Sequence, residues 1–169
     1  MPRPIEHRTS STHPAARVFA TLTDEAFLRA RLADIGGKNS ELTSFSRDGG
    51  TTRYRLRQTV DAQHIPSVAR AVIRGDLVIE RTESWAASGG QYDGTIEASV
   101  PGTPASVRAV TSLLDRAEGS ELLLTGTVKV GVPIVGGKLE SLIVEQLIDL
   151  LRAEGRFTQR WLDSRAKRP

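Results

Sequence analysis

The 169-residue chain contains no cysteine, so disulfides, thiolate metal sites and cysteine nucleophiles are all excluded. It also lacks a long apolar run: the stretches at 122–124 and 142–144 fall far short of the roughly 20 residues that cross a bilayer. The first eleven residues are polar and carry Arg3, Glu6 and Arg8, unlike the apolar core of a secretory signal, and a cytoplasmic location is the expectation. Aromatic residues are scarce at 5%, yet an apolar fraction of 38% is too high for a disordered chain. Neither sign of charge dominates, since 23 basic and 20 acidic residues leave a net charge of +3 mixed along the chain. The basic tail, with Arg152, Arg156, Arg160, Arg165, Lys167 and Arg168, suits the C-terminal end of a helix dipole. Arg53, Arg55 and Arg57 form a ridge without interleaved aromatics, which reads as a solvated strand face, so nucleic acid is not an expected partner. A chain of this length fits one domain, 1–169.

What is present is a clean change of period. Residues 4–12 alternate with Ile5, His7 and Thr9 on one side, as a strand does. Pro14 suits a first helical turn, and Ala15, Val18, Phe19 and Leu22 follow at helical spacing. Thr23 reads as the cap of a second helix, with Asp24 and Glu25 in its first turn, Phe27, Leu28 and Leu32 on its buried side and Gly36-Gly37 at its end. From residue 39 to 132 the period is two, giving strands at 40–47, 51–61, 76–86, 91–100, 105–117 and 120–131 punctuated by glycine-bearing turns. Such short links imply antiparallel neighbours. After Pro133 an apolar stripe of Leu139, Leu142, Ile143, Leu147, Leu150 and Leu151 predicts one helix from 138 to about 164, roughly 40 Å long.

The order β-α-α-β6-α and the turn Val132-Pro133-Ile134-Val135-Gly136-Gly137-Lys138-Leu139-Glu140 resemble the START-like superfamily of helix-grip proteins, and within it a bacterial family of unknown function. The resemblance covers nearly the whole chain. It implies an α+β helix-grip fold, a seven-stranded curved antiparallel sheet gripping a long C-terminal helix, with a mainly apolar cavity between them that holds a hydrophobic small molecule or lipid.

Strand parity groups Tyr54, Leu56, Leu77, Ile79, Trp85, Tyr92, Ile96, Thr111 and Leu124 as cavity-lining candidates, with Leu139, Leu142 and Ile143 of the last helix opposite. Tyr54, Trp85, Tyr92 and Thr111 carry polar tips that can orient a ligand, and each also serves as a core filler whose tip finds backbone or water. Arg81 and Glu83 share the parity of Trp85, so either both enter the cavity or a bulge shifts the register midway. Binding, carriage or sensing of a hydrophobic molecule is the leading reading. The runner-up is a cyclase- or dehydratase-type enzyme using Glu83, Arg81, Tyr92 or His64. A third is a protein-interaction module with a filled core. His7, His13 and His64 show no metal-ligand spacing, Gly136-Gly137-Lys138 lacks the phosphate-loop spacing, and neither a metal nor a cofactor is expected. Residues 65–74 exceed a simple hairpin. Ile65, Val68, Ala69, Val72 and Ile73 sit at helical spacing between Pro66 and Gly75, so the segment reads as a short helix. That helix either packs over the core edge or acts as a lid, with Arg70 and Arg74 outward and a transient membrane-surface contact open to it.

Overall fold

Residues 2–70, 73 and 75–166 are described here, in a computed structural model. Seven strands form one antiparallel sheet: β1 (Arg3–Ser11), β2 (Glu41–Asp48), β3 (Thr51–Val60), β4 (Leu77–Ser88), β5 (Gln91–Ser99), β6 (Ala105–Arg116) and β7 (Gly119–Val130), in the order β1-β7-β6-β5-β4-β3-β2. Two short helices, α1 (Ala15–Leu22) and α2 (Glu25–Ile35), join β1 to β2, and α3 (Gly136–Ala166) follows β7. The sheet is curved, and the architecture is the α+β helix grip.

Local chemistry explains the elements. The β2–β3 and β4–β5 hairpins each turn on two glycines with positive φ, Gly49-Gly50 and Gly89-Gly90, the backbone that two-residue hairpin loops matching strand twist require. The junction of α1 and α2 differs from the sequence expectation. Thr23 terminates α1, its hydroxyl donating to the Phe19 carbonyl, and Asp24 is the cap of α2, its carboxylate accepting from the Phe27 N–H. Asp is as good a cap as Thr, and with only two residues between the helices each takes one role. The Glu140 of the turn into α3 is buried and accepts a hydrogen bond from the Val130 N–H at 2.9 Å. That bond ties the start of α3 to the end of β7.

The described residues 65–70 form hydrogen-bonded turns rather than the start of the expected helix, with Ala69 N–H donating to the Pro66 carbonyl, Ile73 N–H to that of Ala69, and Arg70 Nε to the Ile65 carbonyl. Val72 and Arg74 lie outside the described residues.

Three apolar clusters line the interface of sheet and helices. One joins α1, α2 and the end of α3 around Phe27, Leu28, Tyr54, Trp85, Leu113 and Leu162. A middle one joins Ile5, Ile96, Leu124 and Val128 to the Ile143–Leu151 stretch of α3. The third packs Ile65, Ala69, Val130 and Leu139 at the start of α3, with Val68, Ile73, Leu77 and Ile143 against them.

Candidate functional site

The β3–β4 register runs without interruption from Thr51 opposite Ala86 to Val60 opposite Leu77. With no bulge, Arg81, Glu83 and Trp85 keep one parity and all three are buried on the inner face. Tyr54 sits directly opposite Glu83 on β3. Two further charges reach the same place from the helices. Arg31 of α2 falls on the stripe of Phe27, Leu28 and Leu32, and Glu154 of α3 lies one turn before the buried Thr158, whose hydroxyl donates to the Glu154 carbonyl.

These four form a buried ion cluster. Arg81 forks onto Glu154 through Nη1 at 2.8 Å and Nη2 at 3.1 Å, a bidentate pair. Its Nε lies 2.8 Å from Glu83 Oε2, an ion contact without hydrogen-bond geometry. Arg31 is more loosely held, with Nε 3.7 Å from Glu154 Oε2 and Nη2 3.9 Å from Glu83 Oε2. It is only 3% exposed, and neither its Nε nor its Nη2 has a hydrogen-bond partner among the described residues. Thr111 Oγ1 and Glu83 Oε2 are likewise unpartnered. Buried polar atoms are rarely left so.

Protonation follows from this surround. Burial by itself would raise the Glu154 carboxyl, but the Arg31 and Arg81 charges and the Arg81 hydrogen bonds outweigh it and hold it below its ordinary value. Burial works against the Arg81 guanidinium, and Glu154 and Glu83 more than compensate, so its pKa rises. Burial, then the neighbouring Glu83, push the Tyr54 hydroxyl up, while Trp85 Nε1 donates to its oxygen at 3.3 Å. His7, at the cavity wall, is shifted down by burial and by Arg152. Glu154 and Arg81 are therefore both charged around neutral pH.

The cluster forms the polar wall of a cavity of about 70 Å³ between the sheet, α1, α2 and the C-terminal half of α3. Its apolar wall includes Ile96, Leu113, Leu122, Leu124 and Leu151. Gly155 lets α3 come close there, because a Cβ at that position would stand 3.0 Å from Thr9 Cγ2. The volume suits a few water molecules and is below the ~150 Å³ that accepts benzene. Small-molecule sites usually offer about 300 Å³ or more. Entry of a ligand thus requires the cavity to widen.

The matching family model identifies the sequence class, spanning residues 6–162 with the description protein of unknown function, DUF2505. The chain belongs to this DUF2505 family. A DUF2505 chain of this kind is 31% identical over 173 residues to the uncharacterized protein Rv0481c of Mycobacterium tuberculosis, covering 96% of this chain and 98% of that one. In three dimensions it is similar to TTHA0849 from Thermus thermophilus, with a TM-score of 0.59 at 19% identity over 92% of this chain and 97% of that one. It is also similar to norcoclaurine synthase from Thalictrum flavum, solved in complex with dopamine and hydroxybenzaldehyde, with a TM-score of 0.56 at 14% identity over 97% and 88%. These likenesses show the helix-grip fold that the sequence resemblance implies.

Of the residues singled out by strand parity, Tyr54, Arg81, Glu83, Trp85, Ile96, Thr111 and Leu124 line this cavity. Leu56 is buried nearby in the α1–α2 cluster, and Tyr92 stacks on Phe19 at a 4.3 Å centroid distance. Leu77, Leu139 and Ile143 pack in the cluster at the start of α3, while Ile79 faces Gln58 across the strands and Leu142 is half-buried on α3. Ile65, Val68 and Ile73 pack against that same distal cluster and touch no wall of the cavity. His64 ends a short 3₁₀ turn, and its side chain lies outside what is described. Among the described residues no group of three His, Cys, Asp or Glu is placed to hold a metal, and no helix is long and apolar enough to cross a membrane. Arg31 and Glu154 escape a reading of apolar stripes because they are charges inside them. Their signal is the position itself: Arg31 at i+4 from Phe27, Glu154 at i+3 from Leu151.

Proposed function

We propose that this DUF2505 protein binds a small, largely apolar molecule bearing one polar group, in the cavity between the sheet and the second half of α3. The observation that carries the reading is the wall itself, where apolar side chains surround a buried charge cluster whose Arg31 Nε and Nη2 have no hydrogen-bond partner among the described residues. Unsatisfied buried donors cost free energy in the empty protein and recover it when a ligand or an ordered water arrives. The fold relative that holds two small aromatic molecules supports the reading by analogy of architecture only.

Charges converging on a cavity also meet the geometric demand of a reaction site, and this favours a cyclase- or dehydratase-type second reading. Two groups of the wall argue against it: a general acid or base needs a pKa near the working pH, whereas Glu154 is held ionised by two guanidiniums and Arg81 is held protonated by Glu154 and Glu83. For the interaction-module reading, the large exposed apolar side chains among the described residues are Val110 and Ile134, which stand on different elements and make no common patch. Gating by residues 65–73 would act through Leu139 and Ile143 of α3, since the described residues of the segment do not border the cavity.

Native mass spectrometry of gently purified protein, with amide spectra recorded during titration by small apolar molecules, tests the proposal. Saturating shifts at Ile96, Leu113, Leu122 and Leu124, with Val130 and Leu139 unmoved, are expected. No saturating response at those cavity residues with any probe overturns it.

A further inference from the structure

We propose that the polar group recognised in this cavity is a neutral hydroxyl on an apolar body, and that carboxylates and amines are rejected. The inference deepens the binding reading above and rests on it.

The first ground is charge balance. The cavity wall holds Arg31 and Arg81 against Glu83 and Glu154, two charges of each sign, and its other polar side chains, such as Thr9, Ser11, Thr111 and Gln159, are uncharged. His7, also in the wall, is shifted towards its neutral form. The formal charges of the wall therefore balance before a ligand enters. An ionised carboxylate would lose its hydration to become a third anion beside Glu83 and Glu154. An ammonium would become a third cation beside two guanidiniums. Neither finds a spare counter-ion in the wall, and burial of an uncompensated charge is prohibitive.

The second ground is the geometry of the unpartnered atoms. Arg31 Nη2, a donor without a hydrogen bond, stands 3.9 Å from Glu83 Oε2, an acceptor without one. An oxygen beside the line joining them, at an ordinary hydrogen-bond distance of about 2.9 Å from each, bonds to both. Such an oxygen has to accept from the guanidinium and donate to the carboxylate in the same pose. A hydroxyl does both. A ketone, ether or carboxylate cannot donate, and an ammonium cannot accept. Thr111 Oγ1, unpartnered in the same wall, offers a second position for a polar atom. A water molecule can satisfy the same two atoms, so a ligand hydroxyl exchanges with it at little loss, while the apolar body against Ile96, Leu113, Leu122 and Leu124 supplies the net gain.

The test compares six-carbon probes on the full chain at neutral pH by amide spectra: 1-hexanol, hexanoate, hexylamine and the ether 1-methoxypentane, with toluene as an apolar control. Hexanol is expected to bind about tenfold or more tightly than hexanoate or hexylamine, and more tightly than the ether, because only it satisfies both atoms. Hexanoate or hexylamine binding as well as hexanol overturns the inference. If toluene binds and hexanol has no advantage, the hydroxyl assignment alone falls. If no probe, toluene included, moves the cavity signals, the binding reading falls with it. Arg31→Lys, which keeps the charge and removes the fork, is expected to erase most of the hexanol preference and leave toluene unaffected. An undiminished preference in this variant counts against the assignment. Should the variant fail to fold, the wild-type probe series decides.

Discussion

The underside of α3 differs sharply along its length. At the start of the helix, Leu139 packs with Ile65, Ala69 and Val130, and the buried Glu140 side chain accepts from the Val130 N–H. Towards the other end, past Leu151, two guanidiniums and two carboxylates share a cavity wall, and several of their atoms lack hydrogen-bond partners among the described residues. The same sheet and the same helix thus build one end that is sealed and one that is held open. A buried ion cluster is a poor way to gain stability, because desolvation offsets most of the attraction, and well-packed apolar residues usually do as well or better. The contrast separates the residues that hold the fold from those available to a ligand.

The largest expected effect breaks the open end. Glu154→Ala removes the bidentate partner of Arg81 and the nearer partner of Arg31, leaving two cations buried. A loss of about 3–5 kcal/mol in urea unfolding is expected. The double change Arg81→Met with Glu154→Leu removes charge in balance, and should recover most of that loss while still abolishing ligand response. A single variant within about 1 kcal/mol of wild type would show that the cluster is hydrated and loosely held. At the sealed end Leu139→Ala is expected to cost about 3 kcal/mol through lost contacts and a cavity. Its signature is that probe binding at the open end stays unchanged. Altered binding there would mean that the two ends are coupled through α3.

Acid sharpens the comparison with a smaller effect. The Glu154 carboxyl lies below its ordinary value of 4.5 in the folded protein. The stability it contributes is therefore fully present above that value and is lost as pH falls through the lower, folded one. Urea midpoints of wild type and Glu154→Gln, measured from about pH 6 down to about pH 3, should converge in the acid range. Parallel curves would show that Glu154 does not titrate differently on folding.

Much of this architecture was legible from period alone. Alternation located the strands, and the Leu139–Leu151 stripe located α3, because burial on one face leaves a periodic trace whatever lies opposite. The parity of Arg81 and Glu83 with Trp85 was visible too, and the unbroken β3–β4 register keeps both inside. Arg31 and Glu154 were not legible as a pair, since their meeting depends on α2 and α3 crossing the same patch of sheet. The turns at 67–70 escaped for a related reason: their apolar spacing fits a helix, but Arg70 bonds to the Ile65 carbonyl and Asp76 accepts from the Ala62 N–H, contacts that periodicity does not encode. Cavity size depends on how side chains fill space, which periodicity does not encode.

The smallest expected effect lies beside the sealed end. Ile134, in the loop that leads into α3, has φ of 71°, a left-handed backbone that a β-branched residue seldom adopts, and its side chain is fully exposed. That conformation costs an L-residue about 1–2 kcal/mol, and no packing of Ile134 offsets it. Glycine takes the same φ freely, though its looser unfolded chain returns some of the gain. Ile134→Gly is therefore expected to stabilise the protein by up to about 1 kcal/mol, read as a higher urea midpoint at unchanged slope. If the sealed end serves only the fold, the substitution leaves probe binding at the open end untouched. A destabilised variant would show instead that the Ile134 side chain makes contacts in solution, and a changed hexanol affinity would show that the loop into α3 controls how far the cavity can widen.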